Sequence, residues 1–135
     1  MTTAPPLPTP DADSQPFWDA CRAGRLEVQR CPKCAHFRWP PMAFCPHCHH
    51  RGGDWTALPG TGEVKAFVVV RRAFDPGFED KVPYVVAHVA LDGADGVSIV
   101  ANVIADPVEA VAIGKRVAVE FYDSGPMRMP RFRLA

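Results

Sequence analysis

Two Cys-Pro-x-Cys turns, Cys31-Pro32-Lys33-Cys34 and Cys45-Pro46-His47-Cys48, place four thiols where one metal ion can gather them. In such a turn, backbone N–H groups donate to the first thiolate, and proline after the first cysteine presets φ at about −65°. The intervening stretch from Ala35 to Phe44 suits a short hairpin through His36-Phe37-Arg38-Trp39 that brings the second turn back to the first. Zinc takes four thiolates tetrahedrally and then keeps no position for substrate. Cys31, Cys34, Cys45 and Cys48 are therefore expected to ligate a structural metal rather than a catalytic one. Spacing alone does not separate iron from zinc. The competing readings are two disulfides in an exported chain and a redox-active pair. Neither an export signal nor a helix of thioredoxin type accompanies the cysteines.

Other reactive residue types do not assemble into a catalytic pattern in the sequence. His36, His47, His49 and His50 flank the cysteine turns, but four sulfurs already complete a tetrahedral shell, so these read as surface histidines. Cys21 stands alone in an amphipathic stretch and reads as a small core residue. Glu79-Asp80, beside Lys81, reads as a solvated turn, and His88 as a mid-strand histidine. Gly-x-Ser-x-Gly, His-Glu-x-x-His, phosphate-loop and dinucleotide fingerprints do not occur. The chain is expected to be non-catalytic by itself.

Fifteen basic and fifteen acidic residues cancel in a chain of 135 residues. A divalent metal in four thiolates adds a charge of about −2. That balance disfavours a phosphate-backbone binder, which normally carries a basic excess. No apolar run reaches the length of a membrane-spanning helix, and the start lacks the charged and apolar regions of a secretory signal. The expectation is a cytoplasmic protein with reduced cysteines and no membrane association.

These sites must be carried by mainly β structure. Residues 1–12 are proline-rich and are expected to form a disordered or extended arm. Residues 13–24 read as a helix, capped by Asp13 or Ser14, with Pro16 in its first turn, Phe17, Trp18 and Cys21 apolar, and Gly24 ending it. Residues 25–59 form the metal ribbon, entered by the alternating strand Arg25 to Arg30. Residues 60–135 read as five short strands: Val64 to Val70, Tyr84 to Leu91, Val97 to Ile104, Val117 to Phe121, and Met127 to Leu134. Asp92-Gly93-Ala94-Asp95-Gly96 is a hairpin signal, 106–111 suits a short helical turn, and Pro130 suits a sheet edge. Five strands with one buried face each match a closed OB-type barrel better than a sandwich.

Pro16-Phe17-Trp18, Gly24-Arg25-Leu26, both cysteine turns and Arg38-Trp39-Pro40-Pro41 together resemble the DUF35 family. Gly60-Thr61-Gly62-Glu63-Val64, Val82-Pro83-Tyr84-Val85-Val86-Ala87 and Pro130-Arg131-Phe132 extend the resemblance over nearly everything after the arm. The resemblance implies an N-terminal helix, a rubredoxin-like zinc ribbon and a C-terminal five-stranded OB-fold barrel. It also implies an accessory subunit of a thiolase-superfamily protein acting on acyl-CoA thioesters, as a thiolase, acyltransferase or retro-aldolase of the kind used in steroid side-chain degradation. In that setting Arg71, Arg72, Arg128, Arg131 and Arg133 are candidates for coenzyme A or acyl-CoA phosphates. Phe17, Trp18, Phe74 and Phe78 are candidate aromatic anchors for the partner. The rival reading is a single-stranded nucleic-acid module, since zinc ribbons and OB folds serve that purpose elsewhere. Neutral charge counts against it.

Overall fold

The computed structural model describes residues 4–135. Helix α1, Gln15–Arg22, opens with Pro16 in its first turn and buries Phe17, Ala20 and Cys21, whose spacing puts them on one face. Ahead of it, Asp11 and Ser14 exchange side chain-to-backbone hydrogen bonds at 3.0 and 2.8 Å. Its end is a Schellman turn: Arg25 N–H donates to the Ala20 carbonyl (2.9 Å) and Gly24 N–H to that of Cys21 (3.0 Å). Gly24 takes φ +78° to make it, the left-handed conformation glycine adopts without steric cost.

The ribbon is a three-stranded antiparallel sheet. Strand β1 (Glu27–Arg30) lies between β2 (Phe37–Arg38) and β3 (Asp54–Ala57). The sequence pattern marks β1; the hairpin expected through His36-Phe37-Arg38-Trp39 is instead one strand, β2, paired with β1 across the first cysteine turn, and β3 is an addition, carried by Trp55 and Thr56 opposite Gln29 and Val28.

Strands β4 (Thr61–Val70), β5 (Tyr84–Leu91), β6 (Ser98–Ile104), β7 (Arg116–Ser124) and β8 (Met127–Leu134) close a barrel in the order β4-β5-β6-β8-β7. All neighbours are antiparallel except β6 and β8, which pair in parallel at Val103–Phe132 and Ile104–Arg133. One parallel closure among five strands is the OB arrangement. A bulge between Val64 and Ala66 lets the long strand β4 bend and serve both β5 and β7. Pro130 pairs with Phe121 of β7 in the part of β8 that lies ahead of the registered contact with β6, so only one side of β8 is paired there.

Val64, Val85, Val89, Val103, Val117 and Phe132 fill the barrel. The same core continues through Phe17 and Cys21 of α1 and through Leu26 and Val28 of β1. Ribbon, helix and barrel thus share one apolar interior, and the metal site is held against the barrel by packing as well as by the chain.

The arm does not hang free where it is described. Ala4 and Pro5 cross Gly77 so closely that a Cβ there would sit 2.5 Å from the Ala4 carbonyl oxygen. Leu7 reaches Gly125 in the β7–β8 turn. An extended segment with several prolines loses little entropy when laid on a surface, so ordering it is inexpensive. Residues 1–3 of the expected arm lie outside the described part.

Candidate metal centre

Both cysteine turns have one backbone design. Ala35 N–H donates to the Cys31 carbonyl and Cys31 N–H to that of His36, each at 2.9 Å. His49 and Cys45 repeat this with Cys45 and His50, again at 2.9 Å. The residue after each second cysteine is left-handed, Ala35 at φ +68° and His49 at +64°. Two non-glycine residues in that region at equivalent places mark a conformation imposed by the turn. Cys34 N–H lies 3.5 Å from Cys31 Sγ, and His47 N–H 3.4 Å from Cys45 Sγ.

The turns face each other, and all four Sγ atoms lie within 4.8 Å of one another. Cys31 approaches Cys48 at 3.6 Å, and Cys34 approaches Cys45 at 3.5 Å. Sulfurs about 2.3 Å from one zinc ion stand about 3.8 Å apart along a tetrahedron edge. A disulfide would need about 2.05 Å. The geometry therefore fits a tetrathiolate ion and not two bridges.

Electrostatics point the same way. Donation from the Cys34 N–H lowers the Cys31 thiol to about 6, against the opposing effect of burial. For Cys45, burial raises the pKa but the N–H groups of Cys48 and His47 outweigh it, so this thiol also falls. The His36 N–H pulls Cys34 the same way, yet burial and the three neighbouring sulfurs carry its thiol up to about 12. Sulfurs this close resist ionising together unless a cation stands between them. Cys31, Cys34, Cys45 and Cys48 are arranged to hold a metal ion, which would supply that charge and tie β1, β2 and the second turn together.

Around the sulfurs, His36 and His47 stack with ring centres 4.0 Å apart, and His36 Nδ1 lies 3.3 Å from Cys34 Sγ. Both imidazoles are exposed and stand outside the four-sulfur set.

Arg38 is the residue whose place the sequence does not reveal. It is 3% exposed, donating through Nε to Gln29 Oε1 (3.1 Å) and through Nη2 to the Met42 carbonyl (2.9 Å). Gln29 Oε1 also accepts from Met42 N–H at 2.9 Å. Gly53 lies beneath the guanidinium, where a Cβ would come within 2.6 Å of Nη2. No carboxylate is among its hydrogen-bond partners, and Nη1 has none among the described residues. A buried cation without a carboxylate is costly. The sequence carries no signal for this placement, since β2 is only two residues long.

The five candidate arginines make separate contacts. Arg131 and Arg133 both bind Glu120, at 2.9 and 2.5 Å, and Arg131 also lies over Tyr122. Hydrogen bonds from Arg133, then Arg131, hold the Glu120 carboxyl below its usual value. Arg71 faces Glu109 at 3.4 Å, Arg72 lies over Phe74, and Arg128 reaches the Arg22 carbonyl. The strands do bring Arg131 and Arg133 together, but around a carboxylate that already matches them.

Among the aromatic anchors, Phe17 requires correction. It is 3% exposed and packs edge-on against Trp18 and Trp39, with centroids 5.0 and 4.8 Å away, so it belongs to the core. Trp18 is half-buried beside it. Phe78 is half-buried against Tyr84 at 5.4 Å, and Phe74 is 82% exposed. Cys21 is fully buried, and burial pushes its thiol up to about 12, which leaves it inert. His88 lies on the outer face of β5, opposite Val100.

A closed four-cysteine ribbon sharing its core with an OB barrel defines the class of protein. Residues 18–53 match the family model of the ChsH2 rubredoxin-like zinc ribbon domain, and residues 55–122 that of the ChsH2 C-terminal OB-fold domain. The chain belongs to the DUF35 family. A solved structure described as "Ltp2-ChsH2(DUF35) aldolase" contains a chain 32% identical, with TM-score 0.85, covering 95% of this chain and 98% of that one. A DUF35 protein of unknown function from Sulfolobus solfataricus shares the fold at TM-score 0.65 and 14% identity, over 92% of this chain and 86% of that one. A probable enoyl-CoA hydratase alpha subunit of Thermomonospora curvata is 34% identical over 131 residues, 96% of this chain. This chain spans only 40% of that relative's length.

Proposed function

We propose that this chain is a non-catalytic subunit that pairs with a thiolase-superfamily protein working on acyl-CoA thioesters. The observation that carries the reading is its similarity, over 98% of the relative's length, to a chain of the Ltp2–ChsH2 aldolase, whose name joins it to a second protein. The acyl-CoA chemistry comes from the relative named as an enoyl-CoA hydratase subunit, most of whose length has no counterpart here. The ion is Zn²⁺, held by Cys31, Cys34, Cys45 and Cys48, and its role is structural because the four sulfurs fill its coordination sphere. Zinc stabilises a ribbon too small to hold itself by apolar burial alone.

In this reading the partner supplies the reacting groups, and its action makes or breaks a carbon–carbon bond, as in retro-aldol cleavage of a steroid side chain. Phe74, exposed on the β4–β5 loop, with Trp18 and Phe78 beside the core, provides aromatic contact. Arg71, Arg72 and Arg128 have weaker commitments than the Glu120 pair and are the better arginines for a coenzyme A phosphate. Reduced thiols in a metal site suit the cytoplasm. Among the described residues no helix is long and apolar enough to cross a membrane.

The test is co-expression with a thiolase-like protein encoded beside this chain, followed by size-exclusion chromatography and a thioester cleavage assay. A stable complex that turns over the thioester, with neither chain active alone, is the expected result. Turnover by this chain in isolation would refute the division of labour.

A further inference from the structure

We propose that the β5–β6 face of the barrel is a docking face for a proline-rich segment, and that this chain's own arm is its resident ligand. In OB folds, the face of the second and third strands, flanked by the loops after the first and fourth, is where extended ligands lie. Here those strands are β5 and β6, and the flanking loops carry Gly77 and Gly125. The arm crosses both. Gly77 is buried because Ala4 and Pro5 lie on it, and Leu7 sits 3.4 Å from where a Gly125 Cβ would be.

Between these two crossings is a cleft of about 660 Å³. It stays open beside the arm: Pro5 and Pro6 form part of its wall, Phe78, Tyr84, Tyr122 and Met129 supply apolar surface, and Lys81, Asp123 and Arg131 supply charge. Aromatic-lined grooves take polyproline segments because the ligand is already extended and loses little freedom on docking. The segment Pro5-Pro6-Leu7-Pro8 has that composition, and residues 1–10 carry no charged side chain. Asp75 holds the β4–β5 loop in shape by accepting from Gly77 N–H at 2.8 Å, so the crossing point is fixed. The arm is therefore a strap over the OB ligand face. It closes that face to an oligonucleotide and leaves it available only when the strap lifts.

The test uses full-length chains. In the native chain, proton cross-relaxation is expected between Gly77 and Pro5 and between the Leu7 methyls and Gly125; its absence overturns the proposal. A chain carrying Pro5→Ser, Pro6→Ser, Leu7→Ser and Pro8→Ser should bind a fluorescein-labelled peptide copying residues 1–12 at least about tenfold more tightly than the native chain, whose tethered arm competes at high effective concentration. Equal affinity overturns the proposal. Adding Gly77→Ala to the substituted chain should weaken peptide capture, since the new Cβ occupies the crossing point. Capture unaffected by Gly77→Ala, or an oligothymidylate bound in preference to the peptide, also overturns it.

Discussion

Arg38 and Gln29 face each other across β1 and β2, Nε to Oε1 at 3.1 Å, with both side chains buried and Met42 joined to both. The pair fastens the segment leading to the second cysteine turn onto the first strand of the ribbon. Arg38→Met keeps most of the apolar volume and removes the bonds to Gln29 and Met42. Hydrogen bonds from a charged donor contribute about 1.5–3 kcal/mol each, partly offset by relief of the buried charge. A net loss of about 2 kcal/mol is expected in urea unfolding. Metal affinity, measured by chelator competition, should drop as well, because the ribbon that presents the cysteines is less stable.

Gly53 is the floor under that guanidinium. An added Cβ would meet Nη2 at 2.6 Å and Cζ at 2.9 Å, and Arg38 has hydrogen bonds that resist moving. Gly53 has no positive φ, so alanine there suffers from the contact and not from its backbone. Gly53→Ala should cost about 1–3 kcal/mol in the native chain and much less in an Arg38→Ala background. A double-mutant cycle measures the difference. Equal cost in both backgrounds would place the strain elsewhere.

Cys34→Ser removes one of four sulfurs from the metal, whereas Cys21→Ala removes a sulfur from the core. The first should lower bound zinc to well below one equivalent and melt the ribbon, seen by elemental analysis and loss of amide protection in β1 to β3. The second should keep full stoichiometry and lose about 1 kcal/mol of stability by shrinking a buried side chain. A serine at position 21 is a poorer control, since its hydroxyl would be buried among apolar neighbours. Chelation of the native protein should reproduce the Cys34→Ser unfolding.

Much of the fold is legible because its signals are local. The cysteine turns, the Asp92-Gly93 hairpin and the β-branched runs of β5 and β6 each declare themselves within a few residues. The barrel strands follow from alternation. Strand β3 does not, because Asp54-Trp55-Thr56-Ala57 is short and only its pairing with β1 makes it a strand. Phe17 looks like a surface anchor because a helix has two faces, and which one meets Trp39 is a tertiary fact. The arginines look like a patch because strand alternation brings Arg131 and Arg133 to one side. Glu120, which matches them, stands on a different strand. Arg38 was hidden for the opposite reason: a charged residue gives no hint in sequence that it will be buried.

Glu120 should report itself through pH. Its carboxyl is held below 4.5 by Arg133 and then Arg131. A carboxylate with a depressed folded pKa stabilises the native state above its unfolded pKa, and that contribution is lost as pH falls through the folded value. Native stability should therefore fall more steeply below about pH 4.5 than that of Glu120→Gln. The pair lies in partial contact with solvent, so the difference at neutral pH should be about 0.2–1 kcal/mol and shrink in high salt. Urea melts between acidic and neutral pH at fixed ionic strength measure it.

Phe132 closes the barrel. It pairs with Val103 in the single parallel ladder, with Val119 on its other side, and it is fully buried. That ladder is short, with Val103–Phe132 and Ile104–Arg133 as its registered pairs, so side-chain packing rather than backbone bonding must hold β6 to β8. Phe132→Ala should cost about 3–5 kcal/mol, a large part of the roughly 5–15 kcal/mol that holds a domain together. Phe132→Leu, which keeps most of the volume, should lose about 1 kcal/mol. Because the core is continuous with Phe17 and Val28, the alanine variant should also loosen the ribbon and weaken its hold on the metal. Zinc release and barrel unfolding followed together in urea should coincide in the native chain and in Phe132→Ala. Two separated transitions would show that the ribbon and the barrel are independent units.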